Sequence, residues 1–325
     1  MRPATAAAFA GLLAGVSGCA PKPIPVAADA DAKPKVTPGW QWSIDSVRKV
    51  VGAVRAGKSL KPKVWPNGAK VAVLLSFDVD NETIPIRFGE PTVGALSQAQ
   101  YGARVGLGRI LDLLDRNKIP ATFFIPAVSL MITPEMADQI KQAGVHEFAV
   151  HGWIHELNTT LPGDVEKELV QRAVDTLTKL TGSKPVGYRA PSWNMSPNTM
   201  RIVQELGFLY ESSLMADDVP YELVADGKPT GVVELPVEWI KDDAPLYDPR
   251  GNAYSPPRDV AQVWIDEFDR AYDEGGMFLL TMHPHISGHG SRMVALELLV
   301  AHIKKRSGVW FGTHRAAAEW VKAPH

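Results

Sequence analysis

The fold is decided by one segment of the chain, which reads Val71-Ala72-Val73-Leu74-Leu75-Ser76-Phe77-Asp78-Val79-Asp80. Its uninterrupted apolar run is typical of a parallel β-strand that is buried on both faces. Side chains two residues apart on a strand point to the same side, so Asp78 and Asp80 should lie together at its carboxyl end. Two neighbouring carboxylates repel each other unless a cation or a proton lies between them. Nothing nearby in the sequence neutralises them, so their partner must come from elsewhere in the chain.

Strands and helices alternate from this segment to the end of the sequence. Further strands are predicted at residues 121–125, 147–150, 186–189, 232–236, 277–281 and 309–311. Helices are predicted at residues 105–117, 134–142, 164–180, 257–274 and 294–306, with one opened by Ser196 and a last one from Ala316. A long irregular loop is predicted at residues 84–98. This order predicts an α/β fold, a distorted (β/α) barrel with seven or eight parallel strands in a single catalytic domain, better than a six-stranded open sheet.

Composition excludes several classes of function. The chain has 325 residues, of which 45% are hydrophobic and 22% charged, so it can bury a sizeable core. A net charge of -2 gives no electrostatic case for binding nucleic acid. No apolar segment is long enough to span a bilayer.

The N-terminal sequence is typical of a targeting signal. Arg2 precedes an apolar run of small residues that ends in Val-Ser-Gly-Cys at Cys19, the only cysteine of the chain. We interpret residues 1–18 as a lipoprotein signal peptide and Cys19 as the site of a lipid anchor; the alternative is a signal peptide whose cysteine is incidental. Residues 19–38 are predicted to be a flexible tether and residues 39–62 a helical extension, with a helix at 40–56. The catalytic domain then covers residues 63–325.

Four polar clusters follow four of the predicted strands. They are Asp78 with Asp80, residues 151–155 with a histidine at each end, residues 189–193, and residues 283–285. Functional side chains of a (β/α) barrel gather at the carboxyl ends of its strands, so the clusters should surround one mouth. Two histidines four residues apart share one face of a helical turn and can hold one metal. With one aspartate they form a set that suits Zn²⁺ or a similar divalent ion, which leaves the other aspartate as a base.

The clusters resemble, in order, the successive motifs of the polysaccharide deacetylases, carbohydrate esterase family four. These motifs are Phe-Asp-Val-Asp, His-Gly-Trp-Ile-His, Arg-Ala-Pro-Ser-Trp and Thr-Met-His-Pro. Longer phrases, such as Glu-Ser-Ser-Leu-Met at residues 211–215, look closest to the branch that contains the Helicobacter-type peptidoglycan deacetylase. The resemblance covers roughly residues 65–320.

The resemblance implies a role for each site residue. The implied metal ligands are Asp80, His151 and His155. Asp78 would be the general base, Arg189 would orient it and keep it ionised, the backbone N–H of Ser192 would stabilise the oxyanion, and His283 would protonate the leaving amine.

The sequence departs from the main family at three places. The acidic motif is Phe-Asp-Val-Asp instead of Phe-Asp-Asp-Gly, Ser192 replaces a tyrosine, and the segment 234–239 lacks the usual paired aspartates. Metal-independent, allantoinase-like relatives carry tryptophan at the position of His155, so the histidine favours the metal-dependent branch.

The resemblance implies a metal-dependent hydrolase of a linear amide, an N-deacetylase of an acetylated amino sugar in peptidoglycan or a related glycan. The Val-Ser-Gly-Cys sequence at Cys19 predicts that this enzyme is anchored in the cell envelope, on the periplasmic side or in the outer membrane. The alternatives are a hydrolase of cyclic imides or ureides, favoured by a closed pocket, and a non-catalytic glycan-binding lipoprotein. An oligomer is compatible with the sequence. Further site candidates are Glu82, Glu238 and His285, and the tryptophans Trp153, Trp193 and Trp239 are candidates for stacking on sugar rings.

Overall fold

The structure, a computed structural model, describes residues 37–89, 91–247 and 254–323. The predicted signal peptide, the anchor at Cys19 and most of the tether lie outside the described residues. Within the described ranges, no helix is long and apolar enough to cross a membrane. Residues 37–44 contain one short 3₁₀ turn, Gly39–Gln41. The chain from Asp45 onward is a compact unit.

Ten strands form one sheet. They are β1 (Val54–Ser59), β2 (Val71–Asp78), β3 (Thr122–Ile125), β4 (Glu147–Val150), β5 (Gly187–Tyr188), β6 (Tyr210–Glu211), β7 (Tyr221–Ala225), β8 (Lys228–Glu234), β9 (Met277–Met282) and β10 (Val309–Gly312). The strand order is β1-β7-β8-β6-β5-β4-β3-β2-β10, and β9 also pairs with β2. Eight strands pair in parallel, whereas β1 and β7 add an antiparallel edge.

The helices follow the strands. They are α1 (Ile44–Gly52), α2 (Thr83–Ile86), α3 (Val93–Tyr101), α4 (Leu107–Asn117), α5 (Ala127–Ile132), α6 (Glu135–Lys141), α7 (Gly163–Thr181), α8 (Thr199–Glu205), α9 (Asp243–Tyr247), α10 (Pro257–Glu274), α11 (Pro284–Ser287), α12 (Met293–Ile303) and α13 (His314–Lys322). A π-helical turn, Gly102–Gly106, joins α3 to α4.

The parallel strands curl into a distorted barrel. Beyond the carboxyl end of β8, a single parallel bridge between Asp242 and Thr281 of β9 links the two ends of the curl. The predicted distorted (β/α) barrel with seven or eight parallel strands is therefore confirmed, with eight such strands and an irregular closure.

Strand β2 shows why its sequence has no polar alternation. Val71, Val73, Leu75 and Phe77 pack in the cluster shared with the surrounding helices. Ala72 and Leu74 pack in a second cluster with residues of the other strands, inside the curl. Both faces are therefore buried, and Asp78 continues the inward-facing side at the carboxyl end.

Two local predictions were wrong, and one hairpin was missed. The helix predicted at residues 40–56 ends at Gly52, and β1 pairs with β7 as part of the sheet, so the extension at residues 39–62 is not wholly helical. The hairpin of β7 and β8, joined by Asp226 and Gly227, was not predicted, although Asp-Gly between two strands is a strong turn signal.

Helices α2 and α3 occupy much of the segment 84–98, which was predicted to be an irregular loop.

Candidate active site

The carboxyl ends of the strands surround one pocket of about 240 Å³. Six of the seven residues singled out from the sequence line it: Asp78, Asp80, His151, His155, Ser192 and His283. Arg189, the seventh, is fully buried behind Asp78. Four separate strand ends thus bring the predicted residues together as barrel geometry requires.

Asp78, the last residue of β2, is held by Arg189. The Nη1 atom of Arg189 donates to Asp78 Oδ1 at 2.7 Å. Burial is the largest influence on Asp78 and by itself raises its pKa, but Arg189, His151 and His283 outweigh it and lower the pKa below the usual value. The carboxylate is therefore kept ionised, as a general base must be.

Arg189 is itself fixed by the strand next to its own. Its Nε atom donates to the carbonyl of Ser212 at 2.9 Å, and its Nη2 atom donates to Ser212 Oγ at 2.9 Å. Its Nη1 atom also donates to Ser76 Oγ at 3.0 Å. The guanidinium lies over the ring of Phe124, with its central carbon 3.8 Å from the ring centroid. Arg189 therefore has one orientation available, the one that contacts Asp78.

A buried pair of acids supports this arrangement. The amide of Ser213 donates to Glu211 Oε2 at 2.9 Å and to Glu234 Oε1 at 3.0 Å, and Ser213 Oγ accepts from the amide of Ala190 at 2.8 Å. Burial, together with the charge of Glu211, raises the pKa of Glu234 well above its usual value. The two glutamates therefore hold the turn at Ser212 and Ser213, which contacts Arg189 and Ala190. Sequence reasoning noted the segments 211–215 and 234–239 as motifs but missed the pair, because nothing in either segment identifies the other as its partner.

His151 and His155 converge without a helix, which corrects the prediction of a helical turn. Residues 151–157 form a bent loop, in which Gly152 and His155 have positive φ angles of 75° and 61°. The carboxylate of Glu156 accepts from the amides of Trp153 at 2.9 Å and of Ile154 at 2.7 Å. The loop is therefore stabilised by its own side chain, and His155 takes a backbone conformation that non-glycine residues rarely adopt.

Asp80 and the two histidines form a group that can hold a metal ion. Within it, His151 Nε2 lies 3.6 Å from Asp80 Oδ1 and His155 Nε2 lies 3.5 Å from Asp80 Oδ2. Asp80 Oδ1 is buried, and within the described part of the chain it makes no hydrogen bond. The Nδ1 atom of His151 donates to the carbonyl of Arg189 at 2.9 Å, so the lone pair of its Nε2 faces the carboxylates. A divalent cation fits this unsatisfied oxygen and this lone pair.

Burial is the largest influence on Asp80 and raises its pKa. The neighbouring His283 and His151 oppose this rise, whereas the negative charge of Asp78 adds to it, and the pKa remains above its usual value. A cation at the site would lower the pKa of Asp80 again, because its positive charge compensates the buried carboxylate.

Arg87 contacts the second histidine. Its Nη1 atom lies 2.7 Å from His155 Nδ1 and 3.3 Å from Ser192 Oγ. A guanidinium can only donate, so His155 Nδ1 is the acceptor and the neutral ring carries its proton on Nε2. For His155 to ligate a metal through Nε2, Arg87 must release this hydrogen bond. No motif pointed to Arg87, which follows the short helix α2.

Asp243 is the partner of His283 that sequence reasoning did not find. Its Oδ1 atom lies 2.6 Å from His283 Nδ1, and its Oδ2 atom accepts from the His283 amide at 2.9 Å. Burial by itself lowers the pKa of His283, but Asp243, Asp242 and Asp80 outweigh it and raise the pKa well above the usual value. The signal was present as adjacent aspartates just beyond residues 234–239, where the paired aspartates were thought to be missing.

A second group with metal-ligand spacing consists of Asp242, Asp243 and His283. Its histidine is already bonded through Nδ1 to Asp243, and the neighbouring aspartates raise its pKa well above the usual value, which favours the protonated ring. A protonated imidazole has no lone pair for a metal. This group is therefore better suited to proton donation than to metal binding.

The remaining candidates divide between the pocket and the scaffold. Trp193 and Trp239 both line the pocket, with ring centroids 4.2 Å apart, and His285 lines it too. Glu238 instead caps the turn Trp239–Lys241 by accepting from the amide of Ile240 at 2.6 Å. Glu82 and Trp153 are not among the residues that line the pocket.

Three comparisons relate the chain to known proteins. The profile of the polysaccharide deacetylase family matches residues 101–210. A curated peptidoglycan deacetylase of Helicobacter pylori is 30% identical over 284 residues, which are 77% of this chain and 97% of the relative. A solved structure described as a polysaccharide deacetylase from Mycobacterium smegmatis has a TM-score of 0.75 at 36% identity, covering 82% of this chain and 95% of that one. A solved allantoinase has a TM-score of 0.72 at 26% identity, covering 80% and 93%.

Proposed function

The chain belongs to the polysaccharide deacetylase family and is a hydrolase of carbon–nitrogen bonds, and we propose that it removes the acetyl group from an N-acetylated amino sugar of peptidoglycan or a related glycan. One observation carries the proposal. A single pocket contains the carboxylate of Asp78, paired with Arg189, and the imidazole of His283, paired with Asp243. The positive charge of Arg189 lowers the pKa of Asp78, and the negative charge of Asp243 raises the pKa of His283. Hydrolysis of an amide needs such a base for the water and such an acid for the poor leaving group.

In this proposal the chain supplies the proton transfers. Asp78, fixed by Arg189, accepts a proton from the attacking water. The Nδ1 atom of His283 is bonded to Asp243, so Nε2 donates its proton to the departing amine nitrogen. The N–H of Ser192 stabilises the charge that develops on the carbonyl oxygen. Ser192 has a positive φ of 54°, a strained conformation of the kind that gathers at functional sites.

Asp80, His151 and His155 would hold a divalent metal ion, with zinc as the ion we expect from a set of two histidines and one carboxylate. A bound ion of this kind supplies Lewis acidity, which lowers the pKa of a coordinated water and polarises the substrate carbonyl. Support for metal binding comes from the unsatisfied Oδ1 of Asp80 and the orientation of His151.

The shape of the site favours an extended substrate. Ile84, Arg87, His285 and Ile286 line both the catalytic pocket and a second cavity of about 370 Å³, so the two spaces share a wall. A small cyclic imide or ureide would use little of this space, whereas a glycan extends beyond its reacting acetamide. Trp193 and Trp239 offer aromatic faces of the kind that stack on sugar rings.

The test is the identity of the product. Mass spectrometry should detect acetate after incubation with N-acetylglucosamine oligomers or peptidoglycan fragments, and no ring-opened product from allantoin or hydantoin. Asp78→Asn should lower kcat by about 100-fold or more, since it removes the base. The matched control Asp175→Asn changes an exposed residue of α7 that accepts a hydrogen bond from Gln171, and it should leave kcat unchanged. Ring-opened product without acetate, or an Asp78→Asn variant of full activity, would refute the proposal.

We also propose that Cys19 carries a lipid that anchors the enzyme in the cell envelope. The support is the Val-Ser-Gly-Cys sequence after an apolar run, together with a glycan substrate that lies outside the cytoplasm. Labelling with a radioactive fatty acid should mark the wild type but not Cys19→Ala, and only the wild type should sediment with membranes. Equal labelling of both would contradict the anchor.

A further inference from the structure

The cavity that shares a wall with the catalytic pocket is built by helices α2, α3 and α11. Its volume of about 370 Å³ lies within the range of small-molecule sites. Phe88, Pro91 and Ala95 give it apolar walls. Four residues line both spaces, so the cavity adjoins the catalytic pocket.

Arg292 provides the distinctive chemistry of the cavity. Its guanidinium carbon lies 5.2 Å from the ring centroid of Tyr247 and 4.9 Å from that of Tyr254. Its Nη1 atom donates to the carbonyl of Ile286 at 2.8 Å, which is the hydrogen bond that Arg292 makes among the described residues. An arginine has five N–H donors, so this contact leaves a fork available. The two rings and the carbonyl hold the guanidinium plane in place before any ligand arrives.

Two arginines are the charged side chains among the described residues that line the cavity. Arg87 lies at its boundary with the catalytic pocket, and Arg292 lies away from that boundary. No aspartate or glutamate is among the described residues that line it. A cavity lined by positive groups with apolar walls favours an anion that carries a carbon skeleton.

We propose that this cavity is a subsite for a carboxylate of the glycan and that Arg292 binds that carboxylate with its planar fork. The inference rests on the proposed function and specifies its substrate class, an N-acetylated amino sugar with an acidic substituent. Arginine is suited to this task because two parallel N–H groups match the two oxygens of a carboxylate. The carboxylate could belong to the sugar itself or to a short peptide attached to it.

The test measures binding and turnover in the same sample by NMR. The probes are N-acetylmuramic acid, which has a carboxylate on the sugar, N-acetylmuramoyl-alanine, which has it one residue further out, and the methyl ester of each. Ligand titration gives Kd, and the acetate methyl signal reports deacetylation separately. At least one acid should bind about tenfold or more tightly than its own ester, the loss expected for a charged hydrogen bond. The acid with the larger preference identifies the source of the carboxylate.

Variants assign the preference to a residue. Arg292→Gln should bring acid and ester within about twofold of each other. Arg109→Gln is the matched control, because Arg109 contacts Gly288 and Tyr101 beside the cavity without lining it, and should keep the preference. Arg292→Lys, which keeps the charge but loses the fork, should lose much of the preference and decides the question if Arg292→Gln does not fold.

Several results would overturn the inference: equal binding of acids and esters to the wild type, no binding of any probe, or a preference that survives in folded Arg292 variants. Preferential binding of an acid without acetate release from any substrate would instead count against the proposed deacetylation and leave the carboxylate subsite standing.

Discussion

Replacing Asp243 with asparagine removes the charge that keeps His283 protonated. The new amide side chain would retain one carbonyl oxygen, which can accept from His283 Nδ1 and keep the ring oriented while the charged partner at 2.6 Å is lost. Its NH2 group would replace Oδ2, so the hydrogen bond from the His283 amide is lost as well. A hydrogen bond to a charged group is worth about 1.5–3 kcal/mol, and each pKa unit corresponds to about 1.36 kcal/mol. The pKa of His283 should therefore fall by about one to two units.

The sign of the effect follows from the role of His283. A general acid must be protonated, so activity is lost as the pH rises through its pKa. Burial lowers the pKa of His283, and the charge of Asp243 raises it. Without that charge the pKa of His283 should fall. The alkaline limb of kcat/KM in Asp243→Asn should consequently move about one to two pH units towards acid. At a fixed pH above both limbs, activity should drop about 10- to 100-fold.

The measurement is a pH profile of acetate release. Asp269→Asn is the matched control, since Asp269 Oδ1 lies 2.8 Å from His302 Nε2 in a similar pair far from the pocket. It should leave the profile unchanged. An alkaline limb that stays in place in Asp243→Asn would refute the assignment of His283 as the acid.

Two further variants test the surroundings of the site. In Arg87→Gln the new side chain can accept a hydrogen bond from His155 Nδ1 and carries no positive charge, so the affinity for zinc in a chelator competition should rise by about 10- to 100-fold. Arg87→Lys keeps the charge and should not raise this affinity. Equal zinc affinities of Arg87→Gln and the wild type would show that Arg87 does not oppose the metal. Glu234→Gln should have a free energy of unfolding close to that of the wild type near pH 4.5, and it should become more stable than the wild type as the pH rises. In the wild type, Glu234 of the unfolded chain releases its proton above about pH 4.5, whereas burial and Glu211 keep Glu234 of the folded chain protonated. Urea unfolding at several pH values checks this, and a stability difference independent of pH would contradict it.

The sequence carries enough information for the barrel and most of the pocket. The apolar run of β2 has to be buried on both faces, and this places Asp78 and Asp80 at a carboxyl end. The same rule places His151 and His283 at the ends of other strands. These residues are predictable because each follows a strand directly.

Residues supplied by loops could not be found in the same way. Asp243 opens α9 after an irregular segment, Arg87 follows a short helix, and Arg292 lies where α12 begins. Their positions depend on how the loops fold over the mouth, which neither hydrophobic periodicity nor residue spacing records. The convergence of His151 and His155 was predicted, but by a helix; the real loop depends on Glu156 and a positive φ angle.

The most direct test of the account is a crystal structure of the zinc-loaded protein with anomalous scattering recorded at the zinc edge. The account predicts a peak within ligand distance, about 2.0–2.2 Å, of Asp80, His151 and His155. A peak at Asp242, Asp243 and His283, or no peak at either group, would contradict it.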